Sequence, residues 1–82
     1  MIKVVKENGN FLVTNTETNI TVAYPWISFT LDEHIYKYPH EIENVFRTFF
    51  YPANPLNGVT VEFSDEAKAL VKKICELNYF RD

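Results

Sequence analysis

The chain of 82 residues carries one cysteine, one tryptophan, one methionine, two glycines and two histidines. Each scarcity removes a class of protein. A lone Cys75 cannot close an internal disulfide, whereas small secreted domains normally hold four or more cysteines. The two glycines, Gly9 and Gly58, each follow an asparagine in a turn-like context. No glycine-rich loop is left to wrap a phosphate. No apolar run approaches the roughly 18 residues that would span a bilayer, and no segment has the charged, apolar and small-residue order of a signal peptide. A reducing, cytoplasmic setting is the expectation, in which the Asn19-Ile20-Thr21 sequon counts as chance. A basic excess is missing too: eight Lys and Arg stand against eleven Asp and Glu, for a net charge of −3. Nucleic-acid binders usually show the opposite balance.

What the chain does have is apolar mass. Hydrophobic residues make up 46% and aromatics 16%. Leu, Ile, Val and Phe account for 26 residues, well above the level of roughly a fifth below which chains stay disordered. Residues 1–82 therefore read as a single folded domain. A domain of this size buries only about 60% of its unfolded surface and is worth roughly 4–12 kcal/mol of stability. Seven Phe, five Tyr and one Trp compensate, because each ring can bury about 150–250 Å².

The first 24 residues read as a three-stranded meander. Ile2–Lys6 and Phe11–Thr14 are rich in β-formers, and Asn8-Gly9 between them is a strong hairpin signal. A two-residue turn pairs Glu7 with Asn10, Lys6 with Phe11, Val4 with Val13 and Ile2 with Asn15. Alternation then puts Ile2, Val4, Phe11 and Val13 on one face. Lys3, Val5, Glu7, Leu12 and Thr14 go to the other. A four-residue loop, Thr16-Glu17-Thr18-Asn19, pairs Asn15 with Ile20, Val13 with Val22 and Phe11 with Tyr24. Ile20, Val22 and Tyr24 thereby join the apolar face, so two separate turns agree.

Trp26–Leu31 reads two ways. It alternates like a strand, and it also leads into Thr30-x-x-Glu33, a capping-box pattern that would start a short helix aligning Leu31, Ile35 and Tyr38. Pro39 ends that helix and opens the next one. Ile42, Val45, Phe46, Phe49 and Phe50 then form a full amphipathic stripe, with Glu41 and Glu43 in the favoured first turn and Pro52 as the stop. Val59, Val61 and Phe63 alternate as a half-buried strand after Asn57-Gly58. Ser64 caps a last helix whose stripe is Ala67, Leu70, Val71, Ile74 and Cys75, with Leu77 at its edge. The order β-β-β-α-β-α predicts an α+β fold: a four-stranded antiparallel or mixed sheet with two helices on one face.

No set of residues predicts catalysis, a cofactor or a metal. His34 and His40 are six apart across the break at Pro39, which separates them on any helix face. Cys75 falls on an apolar stripe, where a thiol is a small buried hydrophobe rather than a nucleophile. The acid pairs Asp32-Glu33 and Asp65-Glu66 sit where helix starts favour negative charge. Lys68, Lys72 and Lys73 could contact phosphates on a nucleic acid, but a solvated helix face explains them as well.

The surplus of aromatics carries the functional pull. Trp26, Tyr36, Tyr38, Tyr51, Tyr79 and Phe80 lie outside the stripes, near the prolines and the last helical turn, and Tyr and Trp supply hot spots at protein interfaces. They are the expected partner-binding residues of a non-enzymatic interaction module with no membrane segment. An uncovered sheet edge would also allow a homodimer. Ile, Lys, Asn, Tyr and Phe make up 32 residues, as expected of an AT-rich coding sequence. In size and style the chain resembles the small accessory proteins of phages and mobile elements, which implies an inhibitor or regulator that blocks a host protein. The alternative is a nucleic-acid-binding accessory domain using the Lys68, Lys72, Lys73 face.

Overall fold

A computed structural model describes residues 1–31, 35–53 and 58–80. Its elements are β1 (Ile2–Glu7), β2 (Asn10–Asn15), β3 (Ile20–Pro25), α1 (Ser28–Leu31), α2 (Pro39–Phe50), β4 (Val61–Phe63) and α3 (Asp65–Tyr79). The protein is α+β, with one mixed sheet in the order β3-β2-β1-β4 and the helices packed against it. β1–β2 and β2–β3 are antiparallel, while β4 runs parallel to β1.

The meander has the expected register throughout: Glu7 opposes Asn10, Val4 opposes Val13, Val13 opposes Val22 and Phe11 opposes Tyr24. The backbone stress of the first turn falls on Asn8, whose φ is 56°, an angle that asparagine tolerates better than most residues. In the second turn Asn19 takes the same region, with φ 61°. Its N–H donates to the Asn15 carbonyl (2.7 Å), and the Asn15 Oδ1 accepts from the Glu17 N–H (2.9 Å). Both turns thus rely on asparagine for conformations that a β-branched residue would resist.

Ile2, Val4, Phe11 and Val13 are fully buried beneath the helices. Ile42 and Phe46 of α2 cover them, along with Ala67, Leu70, Val71, Ile74 and Cys75 of α3. Ile20 is an exception. It lies on the core face of β3 yet is exposed, because it occupies the outer strand at the turn end, beyond the helical cover. Phe49 and Leu77, at the margins of their stripes, are also exposed.

Trp26–Leu31 resolves in favour of a helix, but not the one the capping pattern predicts. α1 begins at Ser28, so Thr30 lies inside it, and its Oγ1 donates to the Ile27 carbonyl (2.8 Å). Glu33 and His34 lie outside the described residues. Residues 35–37 belong to neither helix nor strand, and Tyr36 turns inward with its ring at a T-shaped 5.2 Å from Phe29. α2 starts at Pro39 as predicted, held by the Glu41 Oε1, which accepts from the N–H groups of Lys37 (3.0 Å) and Tyr38 (3.1 Å). Ser64 caps α3 by accepting the Ala67 N–H (3.2 Å).

One buried polar side chain ties the helices together. Asn78 of α3 is fully buried, and its Nδ2 donates to the carbonyls of Phe29 (3.0 Å) and Tyr36 (3.1 Å). It sits four residues past Ile74, in line with the apolar stripe, and so docks the α1 segment onto α3. A buried donor shared by two carbonyls is costly to remove. Asn78→Ala is expected to lower stability by about 1–3 kcal/mol, and Phe46→Ala by about 3–5 kcal/mol. Urea denaturation with exposed Leu77→Ala as control checks both. A loss at Asn78 no larger than that at Leu77 would refute the role given to its amide.

Candidate functional site

A groove of about 530 Å³ lies between the first half of α2 and the outer side of α3. Its floor is apolar: Phe63 from the end of β4, Val71 and Cys75 from α3, and Pro39 from α2. Its rim is charged, with Lys68, Lys72 and Glu76 from α3, Glu43 from α2, and Lys37 from the segment before α2. Lys68, Lys72 and Glu76 recur every four residues, which aligns them along one edge of the helix. Tyr79 and Phe80 close the far end.

The expected partner-binding residues divide on this geometry. Tyr79 and Phe80 line the groove, 5.4 Å apart and edge to face, with Phe80 82% exposed. The Lys37 ammonium lies 5.9 Å from the centre of the Tyr79 ring, within reach of a cation–π contact. Tyr38, exposed and stacked on His40 at 5.8 Å, sits in sequence between the lining residues Lys37 and Pro39.

The other three serve the fold. Tyr36 is a correction to the surplus, because its ring is buried and belongs to the core. Sequence spacing could not show this, since Tyr36 lies in a connecting segment outside both helical stripes. Tyr51 is half-buried, and its hydroxyl donates to the Glu17 Oε2 (3.2 Å) and accepts from the Asn15 Nδ2 (3.3 Å). It fastens the end of α2 to the β2–β3 turn. Trp26 is half-buried over Gly9, whose carbonyl accepts the Trp26 N–H (3.0 Å).

The lysine triplet divides as well. Lys68 and Lys72 face the groove, whereas the Lys73 ammonium lies 5.9 Å from the Trp26 ring on the other side of α3. One residue past Lys72 is a 100° turn of the helix, so the three never formed a single face. Glu43, Glu76, Lys37 and Phe63 were not singled out as site residues. The four-residue spacing from Lys68 through Lys72 to Glu76 was the available signal. Phe63 and Lys37 join the groove only through tertiary packing.

Among the described residues no three His, Cys, Asp or Glu side chains converge as metal ligands. Cys75 lies in the groove floor, buried, and its thiol pKa is raised first by burial and then by the negative charge of Glu41. A raised pKa keeps the sulfur protonated and unreactive near neutral pH. No helix among the described residues is long and apolar enough to cross a membrane.

The Cys75 environment sets a pH dependence. Its pKa is higher in the folded chain than in the unfolded one, so its contribution to stability is complete below the ordinary thiol pKa. That contribution is lost as pH rises through the folded value, because the unfolded chain ionises first. The urea midpoint of the native chain is expected to fall across the alkaline range more steeply than that of Cys75→Ala, and parallel slopes would refute the assignment. Comparison of the chain with protein-family models, with curated proteins and with solved structures finds no match to any of them.

Proposed function

We propose that this protein is a non-enzymatic interaction module that acts by occupying a surface of a partner protein, with the α2–α3 groove as its contact site. The observation that carries the reading is the pairing of an apolar floor with a lysine-bearing rim beside the exposed rings of Tyr79 and Phe80. Apolar anchors in a pocket, ringed by polar groups, are the usual anatomy of a binding hot spot. Three lysines against two glutamates at the rim favour a partner segment with apolar side chains flanked by carboxylates. A short helix or extended segment of that composition is the proposed occupant. Its capture blocks the partner's own use of that segment, which is how a small inhibitor or regulator works without chemistry. A phage or mobile-element origin is supported by size and composition alone.

The nucleic-acid reading has less support. Lys73 is turned away from Lys68 and Lys72, and the groove carries Glu43 and Glu76 beside its lysines. A phosphate backbone would be repelled by both acids.

Affinity capture from the native host with quantitative mass spectrometry tests the proposal. A protein retained by the native chain is expected to bind about 30-fold more weakly to the Tyr79→Ser/Phe80→Ser variant. Lys68→Glu/Lys72→Glu should weaken the same complex mainly at low salt. Undiminished retention by the aromatic variant, or co-purification of nucleic acid in place of protein, would sink the reading.

A further inference from the structure

The opposite end of the sheet presents a different surface. β3 is the outermost strand there, and its six residues, Ile-Thr-Val-Ala-Tyr-Pro, include no charge. Sheet edges are normally blunted by charged side chains, bulges or proline. Here only Pro25 does so, and only at one end.

The hydrogen-bond parity of β3 follows from its anchors. The Trp26 N–H donates to Gly9 (3.0 Å), in register with the β2–β3 ladder. In an antiparallel pair the bonding residues alternate. The backbone groups of Tyr24, Val22 and Ile20 therefore face β2, and those of Thr21 and Ala23 face outward. Thr21 and Ala23 are exposed, and no backbone bond outside the β2–β3 ladder is recorded for either among the described residues. Pro25 falls on the outward parity, where its missing N–H costs the ladder nothing. At the other end the Asn19 N–H is committed to the Asn15 carbonyl.

We propose that β3 pairs antiparallel with β3 of a second copy about a twofold axis at Val22, joining two four-stranded sheets into one. In this register Thr21 lies opposite the partner's Ala23, and each exchanges its N–H and C=O with the other, giving four backbone hydrogen bonds across the axis. Asn19 lies opposite the partner's Pro25, so the two positions without an outward donor meet each other. Centring the pair on Thr21 would ask for the N–H that Asn19 has already committed. Centring it on Ala23 would set the Thr21 carbonyl against the Pro25 ring. The Val22 register alone leaves no donor or acceptor of Thr21 and Ala23 unmatched.

The core-facing side chains agree. Ile20, 53% exposed in the single chain, comes opposite the partner's Tyr24, a favourable aromatic and β-branched pair. Tyr24 already packs edge to face on Phe49 at 5.9 Å, and Phe49 is 48% exposed. The join therefore extends the apolar layer past its present margin. The contact is isologous and closes on itself, which stops growth at two copies. The α2–α3 groove lies at the β4 side and stays open, so this pairing stands apart from the reading of the groove.

Sedimentation equilibrium from micromolar to millimolar concentration tests the pairing, together with cysteine cross-linking in a Cys75→Ala background. The native chain is expected to form a dimer. Thr21→Pro should raise its dissociation constant at least roughly tenfold with an unchanged circular dichroism spectrum. Val22→Cys should cross-link on mild oxidation, because non-hydrogen-bonded antiparallel neighbours lie within disulfide reach, and Ala23→Cys should cross-link far less. A native chain that remains monomeric overturns the proposal. So does a dimer that tolerates Thr21→Pro in a folded chain, or one that cross-links at Ala23→Cys in preference to Val22→Cys. If Thr21→Pro fails to fold, the cross-linking pattern decides by itself.

Discussion

Phe46 holds the molecule together. Its ring meets Phe11 of β2 at 5.8 Å, Tyr24 of β3 at 5.5 Å, Phe29 of α1 at 5.9 Å and Phe63 of β4 at 6.3 Å. Four elements from both halves of the chain converge on one fully buried side chain. Three of these contacts run edge to face or steeply inclined, the geometry that the ring quadrupoles favour. A chain of this length has little apolar surface to spare, and it gains cohesion by concentrating its aromatic rings at one point under the sheet.

That arrangement explains how the aromatic residues are distributed. Those close to the Phe46 centre, including Tyr24, Phe29 and Tyr36, are consumed by the core. Trp26 and Tyr51 lie farther out and act as ties: one closes over the first hairpin, and the other pins α2 to the second turn through Asn15 and Glu17. Only Tyr38, Tyr79 and Phe80 stay at the surface together with Phe49. Tyr79 and Phe80 line the α2–α3 groove, Tyr38 falls in sequence between its lining residues Lys37 and Pro39, and Phe49 lies towards β3. The two ends of the sheet thus carry different surfaces. One is concave with a charged rim, and the other is a neutral, hydrogen-bonding edge.

Burial also explains the character of the groove floor. Cys75 packs there as a small apolar group, and burial raises the pKa of its thiol. The neighbouring Glu41 is engaged in accepting the N–H groups of Lys37 and Tyr38. It orders the segment that brings Lys37 to the groove. A capping interaction therefore has a consequence at the surface, because it sets where the Lys37 side chain emerges.

The sequence by itself determined the local elements and their faces. Turn chemistry at Asn8-Gly9 and around Asn19 set the meander register residue by residue, because a two-residue periodicity allows no slip without exposing Val4 and Phe11. The spacing in α2 and α3 named their buried stripes for the same reason, and it would have extended to Asn78 had polar residues been counted. Tertiary structure decided what depends on distant neighbours. It placed β4 parallel to β1, turned Tyr36 inward against Phe29, and left Ile20 exposed at the sheet margin. The groove is of the second kind, since Lys37, Phe63 and Lys68 are brought together by packing across 31 positions of chain. Local periodicity tells which side of an element is apolar. Only the docking of one element on another tells how much of that side remains uncovered.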